Sequence, residues 1–593
     1  MRLLSGGERS RRLALLHTLL TIAAKDPEIA GPLGSVAEMW DVLAAMQKQA
    51  PAEFDDIFML PQIGMWIAQT LRRLHAGPRG PGPLWADVGH GFSLALAVAA
   101  RAGAALATRV PCRDGNVMIP GVGMARLGGD GFSAAEAIAS GSALSLANGH
   151  GQCQVSLPAT ADADNWWHLR QLGYQAPGQQ IRVWLDDIDP YRELADPIAP
   201  DRLPGATAHR WQQLFTGACD IFARDDPGLL PALAAGLASI VPLPVASGGR
   251  ILSASSGDSS GSALVSLPAG PAELAVTLVH EFQHIKLGGV LHLLTLCARE
   301  QAPQLYAPWR DDPRPLSGLL QGVYAFLGVT DFWRRHPRAS TGPDGRLAEF
   351  EFALWREHTW QALGTLRAEA GLTDLGRRFA EGMSNQVRGW WEEPVRPDVL
   401  DAVWLAANDH RVSWRIRHVR PDAAYVATLA RAVRRGGPVD LAEAPAPTVI
   451  AGPTARWPRQ RASLARMRIV TPGAGPAPSD LAAMGLVPDL ALLAADKALV
   501  SGDHPRAVQE YADVIAAAPQ GAGAWAGLIL ALAAREEFAR PLLRHPELLV
   551  AVYRELRATP AALTPPAVAR LLTARPDLVT EATARCPHPP GSP

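Results

Sequence analysis

The segment 262–284 constrains the fold of this chain more than any other. Residues 262–267 form a strand-like run, a Pro-Ala-Gly-Pro turn occupies 268–271, and an apolar stretch then leads into an H-E-x-x-H pentad at 280–284. This order predicts a strand, a turn and a helix. Histidines four residues apart lie on one helix face, so both imidazoles can reach one metal ion. The segment therefore predicts a metal-binding helix that follows a strand.

The composition argues against several classes of partner. The 56 basic and 57 acidic residues nearly balance, which removes any general argument for nucleic-acid binding. The five cysteines are scattered and include no C-x-x-C pair, which fits a reducing compartment. No run reaches the roughly 18 apolar residues that a membrane span needs, and the apolar run 13–22 is typical of a buried helix. We therefore expect a cytoplasmic protein without nucleic-acid or membrane partners.

Apolar periodicity divides the chain into regions. Residues 1–110 show helical spacing, 110–270 contain short β-rich segments between Gly, Pro and Asp clusters, and 271–435 are helical again. These three regions together are expected to form the catalytic domain, residues 1–435. A stretch rich in Pro, Ala and Gly at 436–480 then predicts a linker.

Residues 481–593 are predicted to form an all-helical, tetratricopeptide-like domain. The residues at the spacing of one such helix pair are Gly502, Ala507, Tyr511, Pro519 and Trp525. Because one repeat cannot bury its own faces, this region should form a small bundle or dock on the catalytic domain. Generic amphipathic helices explain the spacing equally well. A true repeat would favour docking of a peptide or protein partner.

The residues after the pentad do not complete a usual zinc-peptidase site. In that class the third ligand is a Glu about 19 to 25 residues after the second His, or a His about six residues after it. Position 290 is Val, and Glu300 comes early for the glutamate pattern. A hydrolase with Glu281 as its general base stays open, but it lacks the expected third ligand.

Several stretches around and beyond the pentad are more distinctive. They lie at 286–288, 306–316, 318–326, 375–379, 381–383 and 409–415. At these residues the chain resembles the H-E-x-x-H peptide-modification proteins found beside clusters for ribosomally synthesised peptides, and the resemblance covers roughly 55–420. It implies an iron(II)- and 2-oxoglutarate-dependent dioxygenase that β-hydroxylates a side chain of a precursor peptide.

The resemblance also implies a ligand set. Gln321, at a position of the predicted helix 316–335 where the family also has His, would complete the metal site with the two histidines. Two imidazoles and one further ligand leave three iron positions for a bidentate 2-oxoacid and dioxygen. In an oxygenase Glu281 has no general-base duty, and it would either bind the metal or orient His284.

A 2-oxoacid also needs a cation for its distal carboxylate, and the planar fork of Arg suits this. The candidates are Arg310 and Arg314, which flank the turn before the next helix, and Lys286, which follows the pentad. Tyr306 and Tyr324 are expected to line the substrate pocket.

The expected fold class is α+β and predominantly helical, with a zincin-like edge strand and the H-E-x-x-H helix in the catalytic domain and an all-α C-terminal domain. Residues 410–417 have cationic groups at alternating positions and are predicted to form a strand. Two functional alternatives stay open. One is a zinc metallopeptidase that cleaves a precursor or leader peptide. The other is a non-catalytic, peptide-binding partner of a maturation enzyme that docks through the C-terminal helices.

Overall fold

The computed structural model shows a mixed α/β chain that is 60% helical, which confirms the predicted mixed and predominantly helical fold. Contacts group the chain into two compact units. The first unit comprises residues 1–246 and 251–294, and the second comprises 295–593 with 247–250. The structure describes residues 1–573 except 27, 30, 78–79, 81, 245–251, 299–301, 303, 337–341, 436–438, 440, 442–443, 452–458, 472–488 and 558–562.

Six helices form the N-terminal part of the first unit. Sequence signals fix several of their starts. The Ser35 hydroxyl accepts from the backbone N of Glu38, whose carboxylate accepts from the backbone N of Ser35, and this closes a capping box. Prolines occupy the first turn of the third and fourth helices. The six are α1 (Arg2–Ala23), α2 (Val36–Gln49), α3 (Pro51–Phe58), α4 (Pro61–Ala76), α5 (Leu84–Val88) and α6 (His90–Ala102).

A seven-stranded antiparallel sheet packs against α6. Its strands are β1 (Leu106–Arg113), β2 (Asn116–Ile119), β3 (Gly123–Arg126), β4 (Phe132–Ser140), β5 (Ala143–Ala147), β6 (Gln152–Ser156) and β7 (Trp166–His168). They lie in the order β6-β5-β4-β1-β2-β3-β7. On β4, Ala135, Ala137 and Ala139 are buried, as the period-two alternation of a sheet with one covered face requires. The sheet and the N-terminal helices share one core.

A second sheet of the first unit has five strands, which are β8 (Arg170–Ala176), β9 (Gln179–Leu185), β10 (Ser239–Leu243), β11 (Ser253–Ala254) and β12 (Ser262–Ser266). Their order is β11-β12-β10-β9-β8. The inner strands β9, β10 and β12 are parallel, and the outer strands pair antiparallel. The prediction that 262–267 is an edge strand is wrong, because β12 is second from the edge. Every residue of β12 is buried, which fits a strand covered on both faces.

Three further helices lie in the described part of the first unit. They are α7 (Gly205–Asp225), α8 (Leu229–Ala234) and α9 (Pro271–Leu293). The predicted order of strand, turn and helix is present, because α9 follows β12 directly after the turn at 267–270. α9 packs against α1, α7 and β12. The H-E-x-x-H pentad lies in the middle of α9.

The described part of the second unit is helical apart from one short antiparallel strand pair, β13 (Val419–Arg420) and β14 (Thr448–Val449). Among the helices of the described residues, none has the length and apolarity needed to cross a membrane. The helices are α10 (Leu316–Arg335), α11 (Pro343–Ala368), α12 (Asp374–Gly389), α13 (Pro397–His418), α14 (Ala423–Arg435), α15 (Gln460–Val470), α16 (Leu490–Ser501), α17 (His504–Ala517), α18 (Ala522–Arg535), α19 (Pro546–Arg557) and α20 (Pro565–Thr573).

The predicted strand at 410–417 is wrong, because these residues lie within α13. His410, Ser413 and Trp414 are all buried. Their spacing of three and four residues is the helical period, so the buried face runs along a helix. Arg411 and Arg415 of the same segment donate to the backbone O of Leu543 and to the Glu547 carboxylate.

The C-terminal helices share a core with the helices before them. Arg461 on α15 donates to Asp409 on α13 over 2.7 Å and to Asp496 on α16 over 2.9 Å. The apolar core likewise joins α11 and α13 to α16 and the helices that follow. The boundary between the two units, at residue 294, falls inside residues 1–435, which were expected to form one domain. Of the expected linker 436–480, the described part includes α15, and 472–480 lie outside the described residues.

Candidate metal centre

Packing fixes the rotational position of α9. In its first turn the Glu273 carboxylate accepts a hydrogen bond of 2.8 Å from the backbone N of Ala269. Leu274, Leu278 and Phe282 are buried on one side of the helix. Because these apolar residues recur at intervals of four, they anchor one face and leave the pentad histidines on another.

The two pentad histidines face each other through the nitrogens that bind metals. The Nε2 atoms of His280 and His284 lie 3.2 Å apart, and their ring planes are inclined at 73°. Two nitrogens that each lie about 2.1 Å from one ion are about 3.0 Å apart at a right angle and about 3.4 Å apart at the tetrahedral angle. The observed separation lies between these limits, so it suits two nitrogen ligands of one metal ion.

Burial keeps the histidine pair uncharged. It lowers the pKa of His280 to about 4. The pKa of His284 is also lowered to about 4, first by burial and then by the charge of His280, against the opposing effect of Glu281. Both rings are therefore neutral at pH 7, which is the state in which His binds a metal. With its ring proton on Nδ1, each histidine would present Nε2 as a lone-pair donor to a metal ion.

Glu281 adds an acidic group beside the histidine pair. Its side chain is buried, and its Oε2 atom has no hydrogen-bond partner among the described residues. Buried carboxylate oxygens normally have a partner, so this oxygen is suited to a metal ion or to water on the metal. Two neutral imidazoles suit a divalent cation, and Glu281 stands outside a three-ligand set because no three side chains of His, Cys, Asp or Glu gather among the described residues.

Among the described residues, the usual ligand types His, Cys, Asp and Glu do not supply a third ligand beside the histidine pair. Within the part of the chain that the structure describes, no three side chains of His, Cys, Asp or Glu gather at metal-binding distances. Glu300 lies outside the described residues. The predicted helix 316–335 is confirmed by α10, and Gln321 is an exposed residue of that helix in the second unit. Its part in the metal site stays a prediction.

Lys286 is not brought to the histidine pair. It lies two residues beyond His284, which places it about 200° around the helix. Its ammonium group lies 5.2 Å from the centre of the Phe282 ring, on the buried side of α9. Burial lowers the pKa of Lys286, against the opposing charge of Asp226. A role for Lys286 in binding 2-oxoglutarate therefore gains no support from its position.

Arg310 and Arg314 share one carboxylate. Arg310 donates to Asp312 through Nε and Nη2, at 2.8 and 3.3 Å, and Arg314 lies 3.5 Å from the same carboxylate. Burial would raise the pKa of Asp312, but the hydrogen bond and charge of Arg310 outweigh it, so the pKa is lowered. The two guanidinium groups are thus paired with a carboxylate of the chain itself. Their binding of 2-oxoglutarate stays a prediction.

The two predicted pocket tyrosines have different neighbours. The Tyr306 hydroxyl lies 2.7 Å from Nδ1 of His410. Tyr324 packs against Phe379 with ring centroids 5.4 Å apart, and burial raises its pKa. Tyr306 therefore has a polar neighbour at its hydroxyl, whereas Tyr324 packs against an apolar ring.

Sequence reasoning missed the partners of Tyr306. Nε2 of His410 lies 3.7 Å from Oδ1 of Asp311. Both residues fall within stretches that carry the family resemblance, 306–316 and 409–415, but 104 positions separate Tyr306 from His410. Only the fold brings these two stretches together, so no local pattern could have found the contact.

No protein-family model matches the chain, and no curated protein matches its sequence. A functional assignment therefore depends on the geometry of the described residues and on the motif stretches.

Proposed function

We propose that the chain is an iron(II)- and 2-oxoglutarate-dependent dioxygenase that β-hydroxylates a side chain of a ribosomally synthesised precursor peptide. The observation that carries the metal part is the 3.2 Å separation of the Nε2 atoms of His280 and His284. The choice of oxidation over hydrolysis rests on the stretches 306–316, 318–326 and 409–415, which resemble peptide-modification proteins of this type.

The second sheet supports a zincin-like arrangement of this site. β11 is a short antiparallel strand at the edge, β12 lies beside it, and α9 follows β12 and packs against it. In the proposed arrangement β11 takes the edge position that the sequence suggested for 262–267. The helix that carries the histidine pair then packs against this sheet, and rigid support of this kind is what a metal site needs.

The chain's own groups have defined duties in this proposal. His280 and His284 hold the ion through Nε2, and their low pKa values prevent protons from competing for these atoms at neutral pH. Bound iron(II), with 2-oxoglutarate and dioxygen, supplies the oxidising power that replaces C–H by C–OH. Glu281 would either bind the metal or orient His284.

The same proposal places the protein in the cytoplasm, where precursor peptides are synthesised. Cys112, Cys153 and Cys219 are buried free thiols. Free thiols are the usual state of cysteine in a reducing compartment.

Zinc-dependent peptide hydrolysis is the second candidate, and Glu281 is the residue that favours it. A buried carboxylate with an unpaired Oε2 atom is suited to take a proton from an attacking water molecule. The two candidates differ in what they require of this residue. Glu281→Gln would abolish a peptidase, whereas its effect on an oxygenase depends on whether Glu281 touches the metal.

The test is succinate formation by protein loaded anaerobically with iron(II), supplied with 2-oxoglutarate and then exposed to oxygen. Uncoupled turnover proceeds slowly without the peptide, so overnight accumulation is measured. His280→Ala removes one proposed ligand, and His292→Gln changes a histidine of the same helix that instead contacts Glu8. We expect succinate from the wild type and from His292→Gln, and none from His280→Ala.

Absence of succinate from wild-type protein that holds zinc tightly would contradict the oxygenase proposal and favour hydrolysis. Equal succinate from the wild type and His280→Ala would place the iron elsewhere. Continued formation of succinate by Glu281→Gln would favour oxidation over hydrolysis.

A further inference from the structure

The loop that joins β9 to α7, residues 186–203, begins with two buried acidic side chains that the proposed function does not use. Asp186 and Asp189 are each 2% exposed. Oδ1 of Asp186 accepts hydrogen bonds of 3.2 and 2.9 Å from the backbone N of Ile188 and of Asp189. Oδ1 of Asp189 accepts one of 2.8 Å from the backbone N of Tyr191. We call Asp186 and Asp189 the acidic pair.

The acidic pair has no ion-pair partner among the described residues, although basic side chains are nearby. Arg192 of the same loop is buried, but its guanidinium donates to backbone carbonyls, including that of Asp189 at 2.8 Å. The neighbouring Asp187, in contrast, forms ion pairs with Arg170 and Arg202. A buried carboxylate without a cation is costly, and such a group usually binds a proton instead. The surroundings of the acidic pair therefore favour a bound proton.

The charged groups that face the acidic pair are Arg192 and Asp187 of the loop itself and Arg113 of β1. Burial, and then the charge of Asp186, raise the pKa of Asp189 to about 8. The backbone N–H bonded to Asp189 and the charges of Arg192 and Arg113 oppose this shift. Burial also raises the pKa of Asp186, and the charge of Asp187 adds to the rise. Burial thus outweighs the two cations, and the acidic pair is not fully ionised at pH 7.

Backbone hydrogen bonds close the loop beside the acidic pair. The backbone N of Asp201 donates to the O of Asp187 over 2.8 Å, and the backbone N of Ile198 donates to the O of Pro190 over 3.0 Å. The Tyr191 hydroxyl also donates to a carboxylate of α5 over 2.7 Å. The acceptors of the two backbone bonds each adjoin a member of the acidic pair in the chain. A movement of the pair would therefore disturb the bonds that keep the loop closed.

We propose that the acidic pair is a proton-dependent switch that keeps the loop 186–203 closed. Loss of the bound proton to solvent leaves two negative charges in one buried segment, and opening of the loop exposes both charges to water. In the closed loop the pKa of Asp189 is about 8, and in the open loop it returns to about 4. Between these values the closed loop binds more protons than the open one, so its stability falls as the pH rises.

Hydrogen exchange of the Ile198 and Asp201 amides measures the opening of the loop, because both amides donate to bonds that close it. The metal-free full chain is exchanged from about pH 5 to about pH 7.5, and each rate is divided by the intrinsic rate at that pH. We expect the protection of both amides to fall by about tenfold for each pH unit in the wild type. In Asp189→Asn the side chain is neutral throughout and its oxygen can still accept from Tyr191, so the protection should stay nearly constant.

Two further variants separate the bound proton from other effects of substitution. Asp55→Asn makes the same exchange in a surface ion pair with Arg9 and should keep the wild-type slope. Asp186→Asn removes a charge that helps to raise the pKa of Asp189, so the fall in protection should end at a lower pH. The thermal unfolding midpoint of each variant shows that it is folded. Protection that does not change with pH in the wild type, or equal slopes in the wild type and Asp189→Asn, would overturn the proposal.

Discussion

Helix α9 of the first unit and helix α13 of the second unit each carry buried histidines, but the neighbours of these histidines differ. On α9 the Nε2 atoms of His280 and His284 face each other. On α13 His410 lies between a phenol and a carboxylate. Burial lowers the pKa of the histidines on both helices, but the group that faces them is a second imidazole on α9 and a phenol with a carboxylate on α13.

A buried arginine helps to fix each helix, and the two arginines differ in the number of carboxylates that they bind. We call Arg12 the α9 anchor and Arg461 the α13 anchor. Arg12 is fully buried and donates to Glu8 and to the backbone O of Phe58, Leu60 and Ser260, while Glu8 also contacts His292 of α9. Arg461 is equally buried, but it binds two carboxylates, those of Asp409 on α13 and Asp496 on α16. The α13 anchor thus concentrates more buried charge.

The largest expected effect is the loss of the α13 anchor. Arg461→Met would leave Asp409 and Asp496 buried without their shared cation, and we expect it to cost about 3 to 5 kcal/mol of unfolding free energy. In Arg12→Met, Glu8 keeps its bonds to Arg11 and His292, so we expect a smaller cost of about 1 to 3 kcal/mol. Urea unfolding of both variants measures the difference.

The double variant Asp409→Asn with Asp496→Asn is the informative control for Arg461→Met. In that background the same arginine substitution should cost less, because no uncompensated carboxylate is left. Equal costs for Arg461→Met and Arg12→Met in the wild-type background would remove the proposed difference between the two anchors.

The pH dependence of stability gives a smaller effect that sharpens the comparison. In metal-free protein the pKa of each member of the histidine pair is about 4, below the ordinary value of about 6.5. Between these values the unfolded chain binds more protons than the folded one, so the pair's contribution to stability falls as the pH drops through this window. Replacing both histidines by Ala should flatten the stability curve between pH 6.5 and pH 4.

His410→Gln serves as the comparison for that measurement. Burial lowers the pKa of His410, but Asp311 opposes the shift, so its removal should change the slope less. Unfolding midpoints across the pH range, with a chelator present, supply the data. A larger change of slope for His410→Gln than for the double Ala variant would contradict the assigned charge states.

Local sequence patterns predicted several helices and the histidine pair, because these features depend on the spacing of residues that are close together in the chain. The helix at 316–335 matches α10, because its apolar residues recur with the helical period. The predicted helix pair around Gly502 is present as α16 and α17, with Gly502 in the left-handed conformation that ends α16. The histidine pair was predicted from a spacing of four residues, and this spacing alone places both rings on one face.

The sequence could not predict features that depend on distant partners. β12 reads like an edge strand, and only its pairing with β10 and β11 shows that it is interior. Alternation of charge suggested a strand at 410–417, but packing of the buried face of α13 selects the helix. The contact between Tyr306 and His410 joins two motif stretches that have no shared periodicity.

Metal affinity of the isolated chain tests the central claim most directly. Zinc is titrated in competition with a chromogenic chelator into the wild type, His280→Ala, His284→Ala and the helix-matched His292→Gln. The account predicts one tightly bound ion for the wild type and for His292→Gln, and an affinity at least about 100-fold lower for each of the other two variants. Wild-type affinity in both His280→Ala and His284→Ala would contradict a metal centre on α9.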